Sequence, residues 1–132
     1  MTRSNYTRDK YLNWIKGTAF GTAPTTVYVG LYSSDPTPAN SGTEVTTTVR
    51  VAGRVAVAFG SVTQTTPYNT MTHAADVDFG NSAGAATVTH FGIFDASSAG
   101  NLLDYEALTT SRSITIGLPV KFVAGAIIYR AT

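Results

Sequence analysis

A single change of period divides this chain. In residues 5–16 the apolar side chains Tyr11, Leu12 and Ile15 recur at spacings of three and four, with Trp14 beside them. From Thr25 onward they recur at every second position, in short runs broken by turn residues. A chain patterned this way can bury its apolar atoms as one helix and a set of short strands. Ser4, Asn5 or Thr7 can cap the helix at its start, and Gly17 can end it in a left-handed turn. Asp9 lies early in it and Lys16 late, in the sense that the helix dipole favours. About a dozen residues are marginal as a free helix, so this one must dock on the rest of the chain or on a neighbour.

The strands follow in order. Thr25–Tyr32 places Val27, Val29 and Leu31 on one face, and Asp35, Pro36 and Pro38 stop it. Polar residues run on to Glu44, and Val45–Val51 reads as an extended arm or irregular strand. Arg54–Phe59 turns Val55, Val57 and Phe59 inward. Gln64–Thr72 is polar, with a turn at Pro67-Tyr68-Asn69, and Ala75–Phe79 adds Val77 and Phe79 to the core. Ala86–Phe94 carries bulky residues on both faces, as a central strand covered on two sides does. Asn101–Ala107 returns as its hairpin partner and Ser113–Ile116 is a separate strand. Residues 120–123 and 126–129 close the chain. About eight short strands spaced by turns predict a mostly β fold, a jelly-roll-like β-sandwich with one short N-terminal helix. The expected organisation is a single sandwich domain over 1–132, with 1–17 as a helical arm. Its core is Val27, Val29, Leu31, Val55, Val57, Phe59, Val77, Phe79, Phe91, Ile93, Leu103 and Ile114.

Charge narrows the function. Charged residues make up 13% of the chain and the net charge is +1, against about 25% charged in ordinary soluble domains. The few basic residues are scattered, which argues against nucleic acid as a partner. A surface made largely of Thr, Ser, Asn and Gly loses little on desolvation and suits a protein interface. No secretory leader and no membrane-length apolar run is read, so the chain is expected to be soluble, made in a cytoplasm and not membrane-bound. There is no cysteine, hence no disulfide framework and no Cys-based zinc site.

The search for chemistry yields weak candidates. His90, inside the fourth strand, is either a general base with Asp95 or Asp104, or a hydrogen-bonded strand histidine; no nucleophile elbow accompanies it, which favours the second. Asp76 and Asp78 alternate on one strand near His73, as a metal site or as a solvent-facing edge; the edge is favoured. Asp104 and Glu106 share a strand face and are too close to flank a sugar ring. No glycine run forms a phosphate-cradling loop. The expectation is therefore no enzyme, no cofactor and no metal. Tyr28, Tyr32, Tyr68 and Tyr105 suit either a glycan groove or a protein interface.

Several segments resemble a known family. They are Gly17-Thr18-Ala19-Phe20, Thr22-Ala23-Pro24, Val27–Tyr32, Ser34-Asp35-Pro36-Thr37, Val88–Ala96, Gly100–Leu103 and Ala107-Leu108-Thr109. In this order they are similar to small virion proteins of tailed bacteriophages, often labelled tail fibre proteins. The resemblance implies a structural role on the outer surface of the virion and transfers no catalytic residue. Three roles follow: a capsid decoration (cement) protein clamping the major capsid protein, a tail or fibre component contacting the host, or a carbohydrate-binding module. A lone compact chain without a repetitive shaft favours cement, acting as a dimer or trimer. The expected interface residues are Tyr11, Trp14, Tyr28, Tyr32 and Tyr68. Trp14 and Ile15 point about 100° apart around the helix, so one face can pack on the sandwich while the other meets another subunit.

Overall fold

The computed structural model describes residues 1–131. Strand occupies 42% of the chain and helix 11%, which makes the fold mostly β. The elements run β1 (Thr2–Arg3), α1 (Asn5–Ile15), β2 (Val27–Tyr32), α2 (Thr46–Val49), β3 (Val55–Val57), β4 (Thr63–Gln64), β5 (Asn69–Thr72), β6 (Val77–Asn81), β7 (Ala86–Phe94), β8 (Leu102–Ile114), β9 (Pro119–Phe122) and β10 (Ile128–Ala131). A five-stranded sheet has the order β1-β8-β7-β2-β3. Two smaller sheets, β10-β5-β4 and β6-β9, pack across from it, and every strand pairing is antiparallel. The result is a β-sandwich.

The central strands β2 and β7 are covered on both faces, as the bulky residues of Ala86–Phe94 predict. One face sends Val29, Leu31, Phe91 and Ile93 into the main core, where they meet Val77 and Phe79 of β6, Val49 and Ile127. All twelve core residues expected from the sequence lie in this cluster or pack against it. The opposite face carries a second, smaller cluster of Tyr32, Phe94, Leu102 and Tyr105, with Tyr28 against it. Gly30 of β2 and Gly92 of β7 are register partners on that face. A Cβ at Gly30 would lie 2.8 Å from the Phe94 ring, and one at Gly92 would lie 2.6 Å from Leu102. The glycine pair thus leaves the space that the rings of Tyr32 and Phe94 occupy, stacked with centroids 6.2 Å apart.

Three stretches differ from the sequence reading. Val45–Val51 is not an extended arm; it contains the single helical turn α2. A Thr-Thr-Thr-Val run favours strand by propensity, but tertiary contacts override it. The Thr46 hydroxyl accepts from the Leu31 amide at 2.8 Å, and Val49 is wholly buried. The polar stretch Gln64–Thr72 turns where expected, but its flanks pair as the hairpin β4–β5. Asn101–Ala107 and Ser113–Ile116 do not form two strands: one strand, β8, runs from Leu102 to Ile114, and Thr115 and Ile116 lie beyond its end. Its ladder with β7 jumps from Val88↔Arg112 to His90↔Ala107, so residues 108–111 bulge out of register. No Gly or Pro lies between Ala107 and Ile114 to end the strand.

Candidate interaction surface at the N-terminal arm

Helix α1 is anchored at its root and free along its length. Ser4 caps it, its hydroxyl accepting from the Thr7 amide at 3.2 Å. The Ser4 amide donates to the Leu103 carbonyl at 2.9 Å, the Asn5 amide to Pro38 at 2.8 Å, and the Thr7 hydroxyl to Leu103 at 2.7 Å. At the other end, Gly17 adopts φ 101°. The Gly17 amide donates to Trp14 and the Thr18 amide to Asn13, which completes a Schellman cap. Asp9 lies beyond the first turn, away from the positive end of the helix dipole, whereas Lys16 is the C-cap, at the negative end that favours a cation.

No residue of α1 is buried. Trp14 is 57% exposed, Leu12 62% and Ile15 63%, and Tyr6, Tyr11 and Phe20 are exposed as well. Residues 16–26, which lead back to β2, are exposed throughout. The apolar band is therefore not spent on the sandwich. Its side chains order one another instead. The Arg3 guanidinium carbon lies 5.1 Å from the centre of the Tyr11 ring, Tyr11 and Trp14 are 6.3 Å apart, and the Lys10 ammonium sits 5.5 Å from Tyr6.

The other expected interface residues scatter. Tyr68 is exposed at the tip of the β4–β5 hairpin, and Tyr28 is half-buried against the second cluster. Tyr32 is a correction. It is 1% exposed and its hydroxyl donates to Asn40 at 2.5 Å, because the loop after β2 folds back over it. Tyr105 is buried in the same cluster. The tyrosines do not line a common groove.

The polar residues with the chemistry of a candidate site are engaged locally. The Ile127 amide donates to Nε2 of buried His73, and its Nδ1 hydrogen-bonds the Ala75 carbonyl at 2.7 Å. His90 Nδ1 lies 2.9 Å from the Thr89 hydroxyl. Asp76 accepts from the Ala124 amide and from Lys121, and these bonds hold its carboxyl below the usual range. Asp78 accepts from the Gly80 amide. Among the described residues, no three His, Cys, Asp or Glu side chains form a metal-sized cluster. Among the described residues, no helix is long and apolar enough to cross a membrane. A groove of about 910 Å³ opens between the tail of β8 and β9–β10; it contains one carboxylate, Glu106, and no histidine.

Two polar assemblies escape sequence reasoning. One joins Arg54 to Glu44 beneath the second cluster. The other buries Asp104 in β8, where it accepts a hydrogen bond from the Tyr129 hydroxyl. Burial pushes the Asp104 carboxyl up to about 6, against the opposing effects of the Tyr129 bond and the Arg3 charge. The only signal in the sequence is an acid placed among Leu102, Leu103 and Tyr105.

No curated protein matches the chain. A family model described as "Podophage GP4 fiber I protein gp80" matches residues 2–130, from β1 into β10. The chain belongs to this family of phage fibre proteins and is a structural component of the virion.

Proposed function

We propose that the chain is a non-enzymatic subunit of the fibre apparatus, fixed to a neighbouring virion protein or to a second copy of itself through its N-terminal arm. The observation that carries this reading is α1, capped at both ends and anchored at its root, with no buried residue along it. Its exposed side chains and Phe20 amount to several hundred Å² of largely apolar surface, on the order of one side of a standard interface. Tyr and Trp offer large contact area at little entropic loss. The family favours the fibre over capsid decoration, the role that compactness suggested. A compact chain lacks a repetitive shaft, but it serves equally well as a globular segment of a fibre. The absence of turnover is supported by His73, whose two ring nitrogens both hold main-chain partners, and by the single acid of the large groove.

The test is particle assembly with the full-length double variant Leu12→Asp, Trp14→Asp. The expected result is a folded chain that is lost from purified particles, with the wild type located by cryo-electron microscopy on the tail or its fibres. Undiminished incorporation of the variant would overturn the arm as the attachment point. Density for the wild type on the capsid shell would overturn the fibre position.

A further inference from the structure

A cavity of about 380 Å³ opens where β1, the root of α1, β8 and β10 meet. Arg3, Arg8 and Arg130 line it, together with Asp104 and Tyr129. Arg3 and Asp104 are register partners across β1 and β8. They form no ion pair, and the Arg3 guanidinium turns to the Tyr11 ring instead. Among the described residues, none of the three arginines is in a salt bridge; the two that exist are Arg54–Glu44 and Lys121–Asp76. The floor carries the opposite need. Asp104 is 1% exposed, its Oδ2 is held by the Tyr129 hydroxyl, and its Oδ1 has no hydrogen-bond partner among the described residues. A buried acceptor without a partner is costly, so it selects for a ligand that brings a donor.

These two demands define the ligand. Three unpaired guanidiniums call for an anion, and their planar forks match a carboxylate. A bare anion would put like charge against Asp104. A ligand with hydroxyls beside its carboxylate meets both walls, its hydroxyls facing the Asp104–Tyr129 pair and its carboxylate facing the arginines. The volume lies at the small end of the range for ligand pockets, roughly 300–1,000 Å³, which suits one sugar-sized ring. We infer that this cavity binds a hydroxylated carboxylate, the chemistry of a uronic-acid residue, between the arginines and the Asp104–Tyr129 pair. The inference rests on the cavity alone and stands whether the arm docks in a fibre or elsewhere.

The experiment is titration of the full chain with glucuronate, glucose and acetate, followed by calorimetry or amide chemical shifts. Glucuronate is expected to bind saturably, with glucose and acetate each at least about tenfold weaker, a difference of about 1.4 kcal/mol. Arg8→Ala, on the exposed face of α1, and Arg130→Ala are each expected to weaken glucuronate by about tenfold or more, with unchanged melting temperatures. If one arginine variant unfolds, the other decides. The inference fails if glucuronate does not saturate, if acetate binds as well (charge attraction only), if glucose binds as well (no reading of the carboxylate), or if the folded arginine variants bind like the wild type.

Discussion

Arg54 forks onto Glu44, with Nε to Oε1 and Nη2 to Oε2 both at 2.8 Å, while its guanidinium carbon lies 3.3 Å from the centre of the Phe94 ring. The same side chain donates through Nη1 to the carbonyls of Ala96 and Ala99, at 3.0 and 2.7 Å. Glu44 in turn accepts from Thr46, whose hydroxyl holds the Leu31 amide. One guanidinium therefore ties the loop after β2, the turn after β7 and helix α2 to the face of the central sheet. The side chains of Arg54 and Glu44 are 8% and 30% exposed, so the pair is only partly screened by water. Replacing Glu44 with Ala leaves a buried cation and is expected to cost about 3 kcal/mol in chemical denaturation. Arg54→Met, which keeps an apolar stem in this mostly buried site, should cost less than Arg54→Ala.

Stability should pass through a maximum in mildly acidic solution, because two carboxylates respond with opposite sign. Asp104 is raised from an ordinary 3.8 to about 6, so the folded state holds its proton more tightly than the unfolded chain. Its contribution is complete below the ordinary value and is lost as pH rises through about 6, a change of about 3 kcal/mol. For Glu44, burial raises the pKa, but the hydrogen bonds from Arg54 and Thr46 and the charge of Arg54 reverse this and hold it below its ordinary 4.5. Its contribution is complete above that value and is lost as pH falls through the lowered one. Urea denaturation across the pH range should show both limbs. Asp104→Asn should flatten the neutral side, and Glu44→Gln the acid side.

Two aromatic residues that look alike in the sequence should separate in a stability assay. Tyr32→Ala is expected to cost about 3–5 kcal/mol, since it empties a buried ring site beside Phe94. Trp14→Ala should change the stability of the isolated chain by no more than about 0.5 kcal/mol, while weakening attachment to the arm's partner by about 2 kcal/mol or more. Thermal denaturation of the free chain and binding to particles lacking it measure the two quantities. A large loss of stability in Trp14→Ala would mean that the arm folds onto the sandwich.

Gly30→Ala should destabilise by about 1–3 kcal/mol through overpacking. The added methyl would sit 2.8 Å from Phe94 and 2.9 Å from Glu44 Oε1, so it strains the ring and the ion pair together. Gly17→Ala is the useful contrast. Nothing lies within 4 Å of a Cβ there, and only the strain of φ 101° remains. Denaturation midpoints of the two variants distinguish crowding from backbone strain.

The amino-acid sequence by itself determined the class of fold, the main core and the extent of the helix. Period-two runs such as Val27-Val29-Leu31 and Val55-Val57-Phe59 can be satisfied only by strands with one buried face, and Ser4 and Gly17 bound α1 by local chemistry. The two-faced run Val88–Phe94 announced a central strand for the same reason. Tertiary structure alone decided the rest, because it depends on what lies across space. Thr46–Val49 became helix when a Thr46 hydroxyl replaced a strand partner at Leu31. Tyr32 was buried by a loop that no periodicity describes. Arg54 found Glu44 through the folding-back of that loop, and Asp104 found Tyr129 twenty-five residues away. Whether Trp14 is inside or outside was likewise open in the sequence, since an amphipathic helix carries the same pattern whether its apolar band meets its own sandwich or another chain.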